Sequence, residues 1–493
     1  MIRQTHRMAV VPFARIPPPS SGTFFISPHL SSAKAAPTPT MTHESRSSRD
    51  PRTGIIPTAT GILPVPTGTI ALPDYARAAA GEMPTTHRGD ALSSRRRLAY
   101  VLLLGALTAL GPFTIDLYLP AFPLLERDFA TTSAAIQLTL TGTMIGFALG
   151  QLVVGPLSDK VGRRRPLLIV TGLHVLASVA AALAPSLELL GAARVLMGMG
   201  AAAGGVVAMA MVRDLFGGRR LVVMLSRLAL VTGVAPVIAP LIGSALLSVF
   251  PWRGLFIVLA SYGVIMLLCA IFALPETRPA ADRVAHQTVS VWHRYRVVLT
   301  DRVFLGVLLI AAMTFSGLFS YLSSSSFLFQ QTYGFSQLQY GALFATNSIG
   351  LVIGNQIAAR LAARFGPQWV LAFSTAVLLL AGAAIVVCDQ LELGVWGIMV
   401  PLFVFMSMCG FTFPCGQVLA LDRHPEAAGT AASILGATNN GVAGLVSPLV
   451  GVISAGSGIT GTTMASVMVG CSAIAVVSLW LIVRPRTLGK LAD

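Results

Sequence analysis

The sequence predicts an all-α membrane protein, with twelve transmembrane helices in two six-helix bundles behind a disordered N-terminal tail. Three observations lead there. Of 493 residues, 54% are hydrophobic and only 11% charged, whereas soluble domains carry about 25% charge. Beyond residue 98 the apolar runs are mostly about 20 residues long, the length that crosses a hydrocarbon core as a helix. The basic residues gather in alternate polar gaps between those runs. Helices are required because lipid offers no partner to a free backbone N–H or C=O. The alternating segments of about ten residues that mark a membrane β-barrel do not occur.

Residues 1–94 differ in kind from the rest. They are rich in Pro, Ser, Thr and Ala, as in Pro17-Pro18-Pro19-Ser20-Ser21, and carry no helical period. Such a segment is read as a disordered tail. Its first 43 residues contain no acid and several arginines, a composition similar to that of an organelle transit peptide. Met41 and Met83 are alternative starts, and the tail is expected to be dispensable.

The apolar runs fall at about 99–123, 135–157, 166–185, 189–212, 221–248 and 253–274, then at about 304–329, 338–359, 368–388, 394–417, 428–454 and 461–483. This divides the chain into a first bundle (95–274), a linker loop (275–302), a second bundle (303–485) and a short tail (486–493). The net charge of +15 does not point to nucleic acid, because the basic residues orient a membrane protein instead. One set of gaps holds Arg95-Arg96-Arg97, Arg163-Arg164-Arg165, Arg219-Arg220, the linker arginines, Arg360 with Arg364, Arg423, and Arg484 with Arg486. The other set offers Arg127 and Arg253. Such asymmetry puts both termini and the linker in the cytoplasm. The five cysteines all lie inside apolar runs without metal-ligand spacing, and are read as small buried hydrophobes. No cofactor or metal is expected.

The chain also repeats itself. A shift of 204 positions lays Gly150, Gln151, Leu157, Lys160 and Gly162 over Gly354, Asn355, Leu361, Arg364 and Gly366. Weak similarity between halves is expected of transporters that bind substrate between two bundles near the membrane midplane.

The motif with most matched positions is Gly155-Pro156-Leu157-Ser158-Asp159-Lys160-Val161-Gly162-Arg163-Arg164-Arg165-Pro166. Gly155 permits close helix approach, and Gly162 a tight turn. Asp159 ends a span with a charge suited to pairing with arginine or capping a helix N-terminus. The arrangement suits a latch that breaks and remakes as the bundles rock. It resembles the signature of the major facilitator superfamily between spans two and three. In the second half Ala363 replaces the acid, so a latch there would be weaker. Arg194-Val195-Leu196-Met197-Gly198-Met199-Gly200-Ala201 in the fourth span resembles a second pattern of that superfamily. Gly233, Pro236, Pro240 and Gly243 in the fifth resemble its exporter motif. The run Asp116-Leu117-Tyr118-Leu119-Pro120-Ala121 in the first span looks like the Bcr/CflA group of drug:proton antiporters. That resemblance covers about 97–485, including Trp252-Arg253, Pro275-Glu276-Thr277 and Ala428-Gly429-Thr430-Ala431, and has no counterpart before residue 95. It implies a small-molecule substrate, protons as partner and a bacterial inner membrane. A monomer is expected.

The residues alone point to the same site. Asp116 is the one carboxylate well inside a span, and Arg194 the deepest cation. An ionised side chain at a helix centre costs on the order of 3 kcal/mol, so such groups usually face a cavity and carry function. With a rise of about 1.5 Å per residue, the two sit at similar depth in the outer half. Burial favours the protonated carboxyl and a guanidinium the ionised one, so relative movement of the pair would load and unload a proton. The bland alternative is a fixed structural ion pair. Tyr118, Gln137, Tyr321 and Asn347 are candidate cavity residues; His174, Gln356, Asn439 and Asn440 are equally suited to bonding between helices, and His174 is read as structural. Ser323-Ser324-Ser325-Ser326 is too polar for a lipid face. Export of an endogenous metabolite stays open beside drug export, and uptake by symport ranks third. An enzyme finds no support, since no nucleotide loop, metal-ligand pair or nucleophile–base spacing occurs.

Overall fold

A computed structural model of the chain describes residue 89 and residues 92–278, 291–424, 427–456 and 458–487. Most of the expected tail, and residues 279–290 of the linker, lie outside the described residues. Elsewhere the described chain is helical, without strands.

In the first half the spans are Ser94–Asp116, Ser133–Val161, Arg164–Ala182, Leu187–Leu215, Gly218–Leu247 and Trp252–Ala273; here they are spans one to six. The second half supplies Arg302–Phe327, Gln337–Phe365, Pro367–Gln390 and Gly394–Asp422 as spans seven to ten, and Gly461–Ser478 as span twelve. A short helix, Val291–Thr300, leads into span seven. Among the described residues eleven helices are long and apolar enough to cross a membrane. The remaining expected run, 428–454, forms two helices, Ala428–Val446 and Leu449–Ile453. Two sequence features account for this. Asn439-Asn440 lowers its hydropathy, and Pro448, with no N–H to give, interrupts the helical bonding. Together these two helices are span eleven.

The halves pack alike. Span two lies against span four, and eight against ten; span three lies against four and six, and nine against ten and twelve. Span one meets span five as seven meets eleven. Gly146 and Gly150 bring the span-two backbone against span four so closely that a Cβ on either would collide with it. Of their counterparts 204 positions on, Gly354 meets the span-ten backbone in the same way, while Gly350 meets the Ser407 and Phe403 side chains of that span. Small residues at such crossings are what dispersion-driven association in lipid requires. Between the halves, span two packs on span eleven and span five on span eight.

Candidate functional site

Span one stops at Asp116 for a readable reason. Pro120 cannot donate to the Asp116 carbonyl, so the chain turns through Leu119–Ala121 into a short helix, Phe122–Asp128. The last carbonyls of a helix have no intrahelical donor. One of them, Thr114 O, accepts from Arg194 Nη1 at 2.7 Å. A cation at a helix C-terminus is favoured by the helix dipole. The fully buried guanidinium also lies 4.4 Å from the Tyr118 ring centroid and 5.9 Å from that of Phe256. Its Nε and Nη2 have no hydrogen-bond partner among the described residues.

Around this cation the hydroxyls are tied down. Tyr118 OH meets Thr139 Oγ1 at 2.9 Å, and Thr139 donates to the Ile136 carbonyl. Thr114 Oγ1 donates to Leu110 O at 2.6 Å, so its 2.9 Å contact with His174 Nε2 has the imidazole as donor. His174 is fully buried, its ring between Thr114 of span one and Gly263 of span six and its Cβ against Gly200 of span four.

Asp116 is 5% exposed and is the only acid among the buried side chains described. Three residues on, the turn Leu119–Ala121 packs against spans seven and eight of the second half, and Gln330 Nε2 donates to Pro120 O at 3.1 Å. Asn347 Nδ2 donates to Tyr321 OH at 3.0 Å, and Tyr340 OH meets Ser325 Oγ at 3.0 Å. No ion pair joins Asp116 to Arg194 among the described residues; the guanidinium is held by Thr114 and Tyr118 instead. The pair expected to couple is thus divided: Arg194 lies with Tyr118 inside the first bundle, while Asp116 ends span one just before the turn that packs on the second half. Gln137 belongs to neither place. Its Oε1 accepts from the Gly451 N–H of span eleven at 3.2 Å.

At the arginine-rich end, Asp159 accepts from Arg163 Nη1 at 2.6 Å and from Arg278 Nη1 at 2.7 Å. Arg163 Nε also reaches Asp214 at 2.9 Å. Burial penalises the Arg163 charge, but Asp214 and Asp159 more than offset it and hold the proton more firmly than usual. Helix capping, one role considered for Asp159, falls to Glu276, whose carboxylate accepts from the backbone N–H of Arg163 and Arg164 at the start of span three. Gly162 turns with φ of 105°, and a Cβ on Gly155 would lie 3.6 Å from Ser433 Oγ of span eleven. Among the described residues the Asp159 cluster joins the first half to the start of the linker. Arg164 Nη2 donates to Ile271 O at 2.6 Å.

The Gly/Pro motif sits at the other interface. Span five runs unbroken through Pro236 and Pro240. Pro240 leaves the Pro236 carbonyl without its helical donor, and Ser348 Oγ of span eight supplies one at 3.2 Å. Gly243 lets span five meet the Leu117 backbone, while Gly233 faces Val352.

These features have known parallels. The family model described as Major Facilitator Superfamily matches residues 101–448, and again 337–492. The chain belongs to the major facilitator superfamily. This transporter is 34% identical over 362 residues to the uncharacterized MFS-type transporter YdgK of Bacillus subtilis, covering 73% of this chain and 90% of the relative. It is 28% identical to a bicyclomycin resistance protein homolog of Haemophilus influenzae (71% and 88% covered) and 30% identical to the multidrug resistance protein MdtL of Escherichia fergusonii (67% and 83%). These relatives agree with the Bcr/CflA resemblance. Its fold is shared with the partially occluded, inward-open structure of the xylose transporter XylE from E. coli, at a TM-score of 0.64 and 13% identity, covering 78% of this chain and 98% of that one. The protein is a multi-pass membrane transporter, not an enzyme.

Sequence reasoning missed Tyr340, Thr114 and Thr139 at the site of this transporter. Tyr340 reads in sequence as an ordinary aromatic near a span end, and the Thr114 carbonyl carries no sequence signal at all. His174 was legible as a polar residue inside a span, but its inward orientation was not.

Proposed function

We propose that this transporter exports drugs or other small amphipathic molecules across the bacterial inner membrane in exchange for protons, by alternating access. One observation carries the reading: the only buried acid among the described residues, Asp116, ends span one just before the Leu119–Ala121 turn that packs on spans seven and eight. A carboxyl there meets both substrate and the partner bundle, so its proton and the cargo compete for one place. Arg194 positions that turn from the first-bundle side, and Tyr118, Gln137, Tyr321 and Asn347 order the surrounding walls.

The hydrogen bonds between halves support an inward-facing state. Among the described residues they run from Gln330 to Pro120 O, Gln331 to Glu126, Thr141 to Gly444 O, Ser348 to Pro236 O and Gly451 to Gln137. All lie at mid-depth or toward the end opposite the arginine-rich loops. The cluster of Gly155, Asp159, Gly162, Arg163 and Arg164 would then remake its cross-bundle contacts when the cytoplasmic end closes. The charge asymmetry assigns both termini and the 275–302 linker to the cytoplasm, and a monomer is a complete transport unit. The names of the drug-resistance relatives support the substrate class.

Everted membrane vesicles holding the full-length protein test this. An imposed proton gradient drives uptake of bicyclomycin or chloramphenicol by the wild type, and Asp116→Asn abolishes it while the protein still inserts. Undiminished gradient-driven transport by Asp116→Asn overturns the assignment.

A further inference from the structure

We propose that the groove between spans three and six, at the end opposite the arginine-rich loops, binds a phospholipid whose zwitterionic headgroup carries a primary amine, as in phosphatidylethanolamine. The groove encloses about 650 Å³ and is lined by Val175, Val179 and Leu183 of span three and by Arg253, Ile257, Ser261 and Ile265 of span six. That volume falls within the range of ligand sites, about 300–1,000 Å³. Spans three and six pack on each other, while spans two and five carry the contacts with the second half.

The lining follows from helical spacing. Both rows step by four residues, so each forms one ridge along its helix. Ser261 is the smallest side chain in the span-six row, and its hydroxyl is spent on Ile257 O at 2.9 Å. The trough between the ridges therefore presents an apolar surface along its length. From Arg253 to Ile265 the row runs about 18 Å, at about 1.5 Å per residue. Half of a hydrocarbon core about 30 Å thick is of similar depth, so an acyl chain that enters beside Arg253 ends near the midplane.

The charged end selects the lipid. The Arg253 guanidinium carbon lies 4.2 Å from the Trp252 ring centroid, Nη1 donates to Asp128 Oδ2 at 3.0 Å, and Nη2 donates to Ala184 O at 3.2 Å. Trp252 Nε1 donates to the same Asp128 oxygen at 2.8 Å. Trp252 and Arg253 together hold that carboxyl below the usual carboxylate range. The Arg253 and Asp128 side chains are 41% and 49% exposed. A cation and an anion thus stand side by side, both within reach of lipid headgroups, where the apolar groove opens. An ethanolamine headgroup matches both, with a phosphate for the guanidinium fork and three ammonium N–H donors for the carboxylate. A choline headgroup has no N–H and a glycerol headgroup no cation, so each serves only the arginine.

The test uses purified, delipidated full-length transporter. Phosphatidylethanolamine, phosphatidylcholine and phosphatidylglycerol are each titrated, with the first lipid bound read by native mass spectrometry and by the shift in unfolding midpoint. Phosphatidylethanolamine is expected to bind about fivefold more tightly than either of the others. Ser261→Trp, which fills the groove from an exposed position, weakens that binding about fivefold. Leu176→Trp, at a 71% exposed position of span three outside the groove, leaves it unchanged. Asp128→Asn brings phosphatidylethanolamine down to the affinity of phosphatidylcholine. Should Asp128→Asn fail to fold, the lipid ranking and Ser261→Trp decide the matter. Three lipids of equal affinity, undiminished binding by Ser261→Trp, or a loss by Leu176→Trp as large as that by Ser261→Trp overturns the proposal. So does tighter binding of phosphatidylglycerol, which would assign an anionic lipid to Arg253 alone, or displacement of the lipid by chloramphenicol, which would give the groove to cargo.

Discussion

Thr141 Oγ1 of span two donates to the Gly444 carbonyl of span eleven at 2.7 Å, and that carbonyl is the one Pro448 leaves without its helical N–H. The other bundle interface repeats the device. There Ser348 of span eight serves the Pro236 carbonyl that Pro240 strands. Spans five and eleven, one at each bundle interface, therefore each break a backbone bond and give the freed acceptor to a hydroxyl of the opposite half. A carbonyl left unpaired in lipid costs far more than one in water, so the hydroxyls join the bundles at fixed points.

Thr141→Val is expected to destabilise the protein by about 1 kcal/mol, the scale of an interhelical hydrogen bond in a membrane. In a Pro448→Ala background, where the alanine N–H restores the helical donor, the same change should cost close to nothing. Unfolding midpoints of the four detergent-solubilised proteins form the cycle. Equal losses in both backgrounds would show that the threonine does not serve the stranded carbonyl.

Arg194→Lys keeps the charge but loses the planar fork over Tyr118 and the reach to Thr114 O. Loss of a charge-assisted bond at the end of span one is worth about 2 kcal/mol. Transport should fall more than tenfold while the amount of inserted protein is retained. Wild-type rates in the lysine variant would remove Arg194 from the site.

Asp159→Asn removes the carboxylate charge shared by the buried Arg163 and Arg278 guanidiniums, while Asp214 stays with Arg163. Fully buried pairs cost about 3–5 kcal/mol to break, but the Asp159 side chain is 43% exposed, so screening brings the expected loss nearer to about 2 kcal/mol. Glu276→Gln should also destabilise, through the start of span three, where it serves two backbone donors. Chemical unfolding of the two single variants and of the double variant measures the coupling between cap and cluster.

Asp301 supplies a pH signature outside the spans. Burial alone raises its value, but Arg423 Nε at 2.7 Å and the Val303 N–H outweigh burial and hold the carboxyl below the usual carboxylate range. A depressed folded-state value stabilises above the unfolded value, about 3.9, and that contribution fades as pH falls through the folded-state value. The part of the stability difference between wild type and Asp301→Asn that comes from Arg423 and the Val303 N–H should therefore shrink below about pH 4. A difference that grows on acidification would contradict the ion pair.

The sequence alone determined that this chain is a membrane protein of helices in two repeated halves, because run length and charge placement are set by lipid and not by packing. It also marked Asp116 and Arg194, since an ionisable group in an apolar run stands out by its cost. Residue spacing could not say what those groups would touch. The guanidinium holds the Thr114 carbonyl and not Asp116, and the turn after Asp116 packs on spans seven and eight. Pro448 splits span eleven against Thr141. The hydrogen bonds among these contacts join residues 80 and 303 positions apart in the chain. Backbone acceptors carry no sequence label, and only the packing of one helix on another decides which side chain reaches them.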